Sequence, residues 1–261
     1  MNHSQSVQPS QSAQTESGRF FQYLAFALLG IVVIGFAPSF FLRFFTEEAP
    51  LPLYLHFHGA LLTGWFVILC LQASLIRGQR RVIHQKLGPY LMAYAAVVAV
   101  AALMATLNYV GRELERGFTL ASDMGDVNPL QASGLPFGEF AAALLSFNIA
   151  SVVGFVVLLA MAVVWRERRE HHKRYVMFAS LSIIAPGLAR ISRMVLETEQ
   201  GPLIPLGLAG LVLAIVVYDF LTLHRAHRAT VTAIAILFVL NSIAGLVALS
   251  PLGKALVISL A

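Results

Sequence analysis

The sequence predicts an all-α membrane protein, a single bundle of seven transmembrane helices with the N-terminus inside and the C-terminus outside. Hydrophobic residues make up 58% of the 261 residues and charged residues only 12%, with a mean hydropathy of +0.76. A soluble domain carries about a quarter charged residues, so this chain lacks the polar surface to face water everywhere. Two further observations support this prediction: long uncharged runs, and basic loops that alternate with acidic ones.

The uncharged runs predict seven spans, over residues 20–43, 51–76, 87–111, 139–165, 174–197, 202–223 and 229–250. Each is long enough, at about 1.5 Å per residue, to cross a hydrocarbon core about 30 Å thick, and in lipid each must be helical. Pro186 within the fifth span predicts a kink. Residues 1–18, rich in Ser and Gln, predict a disordered cytoplasmic tail, residues 19–261 a single domain, and the long connection 112–138 an external cap.

The loops predict the orientation. Segments 77–86, 166–174 and 224–228 hold eleven of the eighteen basic residues, while the intervening loops carry most of the acids. By the positive-inside rule the basic loops are cytoplasmic. This topology also accounts for the basic composition, so nucleic acid is not an expected partner. The lipid bilayer is an expected partner, and the sequence leaves a homo-oligomer open.

A set of histidines flanks the span ends on the cytoplasmic side, in three different loops: His84, His171, His172, His224 and His227. Neutral imidazole suits Zn, Fe, Cu or haem iron. We therefore expect a cofactor, a metal ion or haem b, held by His84, His172, His224 and Asp219, with His227 as a further metal ligand. The alternative is that these histidines only suit the membrane interface and that Asp219 pairs with an arginine.

Charged and polar residues within the other half of the spans predict a second site. Arg190 and Arg193 share one helical face with Glu197, which predicts either an anion clamp or an Arg–Glu pair between helices. In the stretch LYLHFHGALLTGW (53–65), His56 and His58 are about 200° apart on a helix and cannot share one ion. His58, Trp65 and Gln72 recur every seven residues and predict a polar stripe lining a cavity or path.

The segments IHQKLGPYLMAYA (83–95) and HHKRYVMFASLSII (171–184) resemble paired motifs, H-x-x-L-G and H-x-R-x-M, of uncharacterised bacterial multi-span membrane families similar to b-type cytochromes or oxidase-assembly proteins. The resemblance carries over His84 with Gly88, and His172 with Arg174 and Met177, the last after one additional residue. It covers about a tenth of the chain and implies the bacterial inner membrane.

These patterns favour a cofactor-binding, redox-linked membrane protein whose arginines hold a quinone or a small anionic ligand. A transporter of a small molecule, ion or proton is the alternative, and a non-catalytic assembly or scaffold protein is the third. No motif for nucleophilic hydrolysis, phosphate binding or zinc proteolysis occurs, so the sequence leaves open whether the protein is an enzyme.

Overall fold

The computed structural model describes residues 11–45, 50–129, 133–199 and 201–261, with side chains from residue 19 onwards. Its helices are α1 (Gln11–Phe36), α2 (Leu53–Arg77), α3 (Arg81–Glu115), α4 (Met124–Val127), α5 (Phe137–Val164), α6 (Arg169–Ser182), α7 (Ala185–Leu196), α8 (Leu203–Leu223), α9 (Arg228–Ala248) and α10 (Pro251–Ser259). A π-helical turn (Ala37–Phe41) and a 3-10 turn (Arg43–Phe45) extend α1.

The predicted all-α fold class is confirmed. Six segments are long and apolar enough to cross a membrane, and the bent pair α6–α7 makes a seventh if it is counted as one span, within the described part of the chain. Predicted and observed bounds agree to within a few residues, except that α1, α3 and α6 begin nine, six and five residues earlier. The predicted tail falls partly on residues 1–10, outside the described residues, and α1 begins at Gln11. Its disorder stays a prediction.

The predicted kink at Pro186 is confirmed as a break between α6 and α7, whose axes differ by 49°. Proline has no N–H, and its ring collides with the carbonyl four residues earlier. That residue is Ser182, where α6 ends, and Pro186 is the second residue of α7. The break therefore places a helix start inside the bundle.

The bundle is arranged around α5, which packs against α3, α6, α9 and α10, while α1 packs against α2 and α7. The α1–α7 contact depends on two glycines, since a Cβ at Gly35 would collide with the carbonyl oxygen of Gly187. In the same way Gly64 of α2 leaves room for the Tyr94 hydroxyl, which donates to the Leu61 carbonyl at 2.7 Å. Small residues thus let the helices approach closely.

The described parts of the connection between α3 and α5, residues 116–129 and 133–136, pack against one end of the bundle, as the predicted cap would. Asp123 caps α4 by accepting a hydrogen bond from Gly125 N at 2.7 Å, and it forms a β-bridge with Pro136. Met124 and Phe137 are fully buried and share a hydrophobic cluster with Val257 of α10. The C-terminal helix α10, which the spans did not predict, completes this cluster.

The two ends of the bundle differ in charge. We call the end that carries the connections 78–80, 165–168 and 224–227 the basic end, and the other the opposite end. Ring contacts between His84 and His172, and between His171 and His227, bring these three connections together. The structure does not assign either end to a compartment, so the orientation stays a prediction.

Candidate functional site

A cavity of about 630 Å³ extends from the opposite end into the bundle. Its wall is formed by one face each of α2, α3, α5 and α7, together with the end of α1 and its extension and the start of α8. Along α3 the lining runs from Arg112, near the helix end, to Val98, which lies 17 residues before the last residue Glu115. The lining residues from Val98 to Arg112 are 14 positions apart, so at about 1.5 Å per residue the cavity reaches about 21 Å along this helix.

Arginines dominate the charge of the cavity wall near the opposite end, which we call the upper wall. The charged residues among the described lining are Arg43, Arg112, Arg190, Arg193 and Glu199. Four guanidinium groups against one carboxylate give this part of the cavity a positive potential in a low-dielectric surrounding, where charge interactions are strong.

Arg190 and Arg193 converge on the same carboxylate oxygen. Arg190 donates to Glu199 Oε1 at 2.9 Å, and Arg193 Nη1 lies 3.7 Å from that atom. The Glu199 side chain is 5% exposed, whereas those of Arg190 and Arg193 are 32% and 35% exposed. Because each guanidinium has five N–H donors, both retain donors that the cavity can reach.

The prediction that Glu197 pairs with Arg190 and Arg193 is wrong. The helix α7 ends at Leu196, and Glu197 adopts a left-handed conformation with φ of 57°, accepting no ion pair with the arginines. The chain therefore turns back, and Glu199 rather than Glu197 reaches the arginines. Helical spacing predicted the wrong acid because it assumed that the helix continues by one more residue.

A second ion-pair group lies on α3, where Arg112 lines the same cavity. Buried Glu113 accepts from Arg112 at 2.7 Å and from Arg116 at 2.8 Å, so two arginines again share one acid. The Arg112 guanidinium lies 5.3 Å from the ring centre of Tyr109, which also lines the cavity. The buried Glu113 therefore holds Arg112 in place in the cavity wall.

The deeper part of the cavity, which we call the lower cavity or the floor, is apolar. Leu62, Val98, Val152 and Ile183 line it, and Phe155 packs edge-to-face on Trp65 with ring centres 5.0 Å apart. Two uncharged polar residues of α5, Asn148 and Ser151, lie between the charged and apolar zones. The cavity is therefore amphiphilic along its depth.

The predicted stripe on α2 reaches the cavity at only one of its three residues. His58 lines the cavity, but Trp65 is buried beneath it and donates from Nε1 to Ser180 Oγ at 3.1 Å. Gln72 lies further towards the basic end, outside the cavity lining, and its buried Oε1 has no hydrogen-bond partner among the described residues. The cavity thus brings together His58, Arg190 and Arg193, and leaves Trp65 and Gln72 outside its lining.

At the basic end, the predicted histidine ligands form two separate ring pairs. The rings of His84 and His172 are 6.1 Å apart, and those of His171 and His227 are 4.6 Å apart. His172 Nδ1 is 2.8 Å from the Ala162 carbonyl oxygen, and His224 is exposed where α8 ends. The described residues contain no group of three or more His, Cys, Asp or Glu side chains placed to hold a metal ion.

Asp219, the predicted carboxylate of that site, belongs to a buried ion-pair network instead. It accepts from Arg174 Nε at 3.0 Å and from Arg174 Nη2, while its other oxygen accepts from Thr230 Oγ1 at 2.5 Å and His227 N at 2.9 Å. Both charged side chains are fully buried. The alternative interpretation, in which Asp219 pairs with an arginine, is confirmed, and the network joins α6, α8 and α9.

The sequence reasoning missed Arg112, Asn148 and Glu199. Asn148 was a visible signal, since it is a polar residue in the middle of an apolar span. Arg112 and Glu199 were placed in loops, and only the folded chain shows that both face the cavity. No protein-family model, curated protein or solved structure matches the chain, so its function has to be inferred from the site alone.

Proposed function

We propose that this protein binds a small anionic amphiphile, with its charged group at Arg190 and Arg193 and its apolar part in the lower cavity. The observation that carries the proposal is the excess of guanidinium groups at the top of a cavity with an apolar floor. A volume of about 630 Å³ falls within the range of sites that hold drug-sized ligands, about 300–1,000 Å³.

The wall chemistry favours a carboxylate or phosphate headgroup. Guanidinium presents its donors in a planar fork that matches both groups, and such charge-assisted hydrogen bonds are the strong ones. A bare inorganic anion would leave the apolar floor empty. A quinone would fill the floor, but its carbonyl oxygens carry no charge to pair with the remaining guanidinium donors of Arg190 and Arg193, so we place it second among ligands.

A redox cofactor at the basic end is the second candidate function. It is supported by the ring pair of His84 and His172, since the buried His84 Nδ1 has no hydrogen-bond partner within the described part of the chain. The two histidines offer fewer ligand atoms than a metal site needs, because Asp219 is engaged by Arg174, Thr230 and His227. An absorption spectrum with a Soret band, or stoichiometric metal by elemental analysis, would support it.

Transport of the amphiphile is an extension of the same proposal. In secondary transporters, substrate sites lie at discontinuous helices near the bilayer midplane. Here the break between α6 and α7 borders the cavity, since Ile183, Ala185 and Pro186 line it. A bacterial inner membrane remains the proposed location, as the resemblance to bacterial families implies.

The binding test uses the two tryptophans of the chain. Trp65 packs against the cavity residue Phe155, whereas Trp165 stacks on His171 at the basic end. In a Trp165→Phe protein, reconstituted in nanodiscs of zwitterionic lipid, a fatty acid brominated on its chain should quench Trp65 fluorescence in a saturable manner. Bromine quenches only at short range, so saturable quenching reports a chain inside the cavity.

The double variant Arg190→Gln/Arg193→Gln should weaken this binding about 10–100-fold, because a hydrogen bond to a charged group contributes about 1.5–3 kcal/mol. The matched control is Arg166→Gln/Arg169→Gln, which removes two exposed arginines at the basic end. Absence of saturable quenching, or equal binding by both double variants, would overturn the proposal.

A further inference from the structure

The wall of the cavity is incomplete on one side. Helices α5 and α7 both line the cavity, yet among the described residues they make at most isolated contacts with each other. The helices α5 and α8 also make at most isolated contacts with each other among these residues, and the first turn of α8 lines the cavity through Ile204. We call this side, where α5 is not closely packed against α7 and α8, the opening.

The next two helices leave this side open because they diverge. The helices α8 and α9 are joined by only four residues, 224–227, and are tied together at the basic end through Asp219, which accepts from Thr230 and His227. Along their length they contact each other sparsely. The pair therefore spreads apart towards the opposite end.

Each of the two helices is held by a different neighbour away from the turn. A Cβ at Gly207 of α8 would lie 2.9 Å from the Leu188 side chain, so α8 leans on α7. A Cβ at Gly154 of α5 would lie 2.9 Å from Leu237, so α9 leans on α5. The two helices thus pack against different sides of the opening and contact each other only sparsely.

Phe147 marks the rim of the opening. It lines the cavity, is 41% exposed, and lies close to Gly245 of α9. On the other rim, Ile204 lines the cavity from α8. The outer surfaces of both helices are apolar, with Leu206 and Phe238 strongly exposed. Apolar rims on apolar helices suit an acyl chain and not a water-borne solute.

From this geometry we propose that the ligand is an anionic lipid of the surrounding leaflet, which reaches the arginines sideways through the opening between Phe147 and Ile204. This inference rests on the proposed anionic-amphiphile site and adds its source and route. The headgroup stays at the height of Arg190 and Arg193, near the end of α7, while an acyl chain passes into the apolar floor. No transfer out of the bilayer is needed.

The test compares lipids already present in the membrane. The Trp165→Phe protein is placed in nanodiscs that contain either phosphatidylglycerol or phosphatidylcholine with brominated acyl chains. Quenching of Trp65 should be at least twofold greater with the brominated anionic lipid, and Arg190→Gln/Arg193→Gln should remove the difference. Equal quenching by both lipids would overturn the inference.

A second measurement tests the route. In a Trp165→Phe/Cys70→Ala protein, Ile204→Cys is labelled with a bulky thiol reagent, and the matched control carries the label at Leu206→Cys. Leu206 is 65% exposed and lies outside the cavity lining. The label at position 204 should reduce quenching by the anionic lipid several-fold, and the label at 206 should leave it unchanged.

The two proposals fail in different ways. If the label at 204 has no effect while a brominated fatty acid still quenches Trp65 in an arginine-dependent manner, lateral access is refuted and the anion site stands. If no brominated amphiphile quenches Trp65 in a saturable manner, the anion site itself is refuted.

Discussion

Removing Asp219 tests whether the network at the basic end holds the bundle together. Asp219→Ala deletes the carboxylate that accepts two hydrogen bonds from Arg174, one from Thr230 and one from the backbone of His227. Both side chains of the ion pair are fully buried, so the guanidinium would lose its charge partner in a low-dielectric site. Breaking a buried pair in this way costs about 3–5 kcal/mol.

The expected loss can be refined from the remaining contacts of Arg174. Its Nη1 also donates to Glu170 Oε2 at 2.6 Å, and Glu170 is 48% exposed. This second acid keeps the cost at the lower end of the range. At about 2–4 °C per kcal/mol for a chain of nearly this size, a loss of about 3 kcal/mol lowers the midpoint of thermal unfolding by about 6–12 °C.

The chain supplies its own reporter for this assay. Cys70 is the only cysteine and is 5% exposed, so a thiol-reactive fluorophore reports unfolding in detergent. The matched control is Glu139→Ala, which breaks an exposed pair with Lys254 at 3.4 Å and should cost at most about 1 kcal/mol. Equal midpoints for Asp219→Ala and Glu139→Ala would refute the reasoning. Replacing both partners, as Arg174→Met/Asp219→Leu, should restore much of the loss.

Three further predictions concern packing, pH and the cavity. Gly35→Leu should lower the unfolding midpoint more than Gly30→Leu, because a Cβ meets the α7 backbone at Gly35 and open space at Gly30; equal midpoints would contradict the proposed helix crossing. Burial, followed by nearby arginine charge, lowers the pKa of His227 to about 4. Because the unfolded chain binds the proton below about pH 6.5, stability should fall from pH 6.5 to pH 4. His227 Nδ1 also caps α9 by accepting from Ala229 N. The variant His227→Asn keeps a capping side chain and should reduce the slope of stability against pH, measured by thermal unfolding. An unchanged slope would exclude His227 as its source. Glu199→Gln should tighten binding of the brominated fatty acid in the fluorescence titration, since it removes the carboxylate that competes for two arginines; weaker binding would show that Glu199 holds them in place.

The membrane spans could be predicted from the sequence because the bilayer imposes strong rules. Uncharged runs of membrane-spanning length must be helical in lipid, and a proline within one of them breaks the ladder. The observed spans and the break at Pro186 follow directly from these rules. Pairing of Asp219 was also foreseeable, since a buried acid near basic loops needs a partner.

The cavity was not foreseeable in the same way. Hydropathy says which residues lie in the membrane, but not which face each helix turns towards its neighbours. Arg112 lines the cavity only because α3 continues to Glu115, and Glu199 reaches Arg190 only because the chain reverses at Glu197. The regular stripe on α2 guides only in part, since His58 lines the cavity whereas Trp65 is covered by Phe155.

The most direct test of the central proposal is headgroup discrimination. The affinity of the Trp165→Phe protein is measured for a brominated fatty acid and for its uncharged methyl ester, which has the same chain. The arginines predict that the carboxylate binds about 10–100-fold more tightly and that this ratio disappears in Arg190→Gln/Arg193→Gln. Equal affinities for the acid and the ester would contradict an anion-binding cavity.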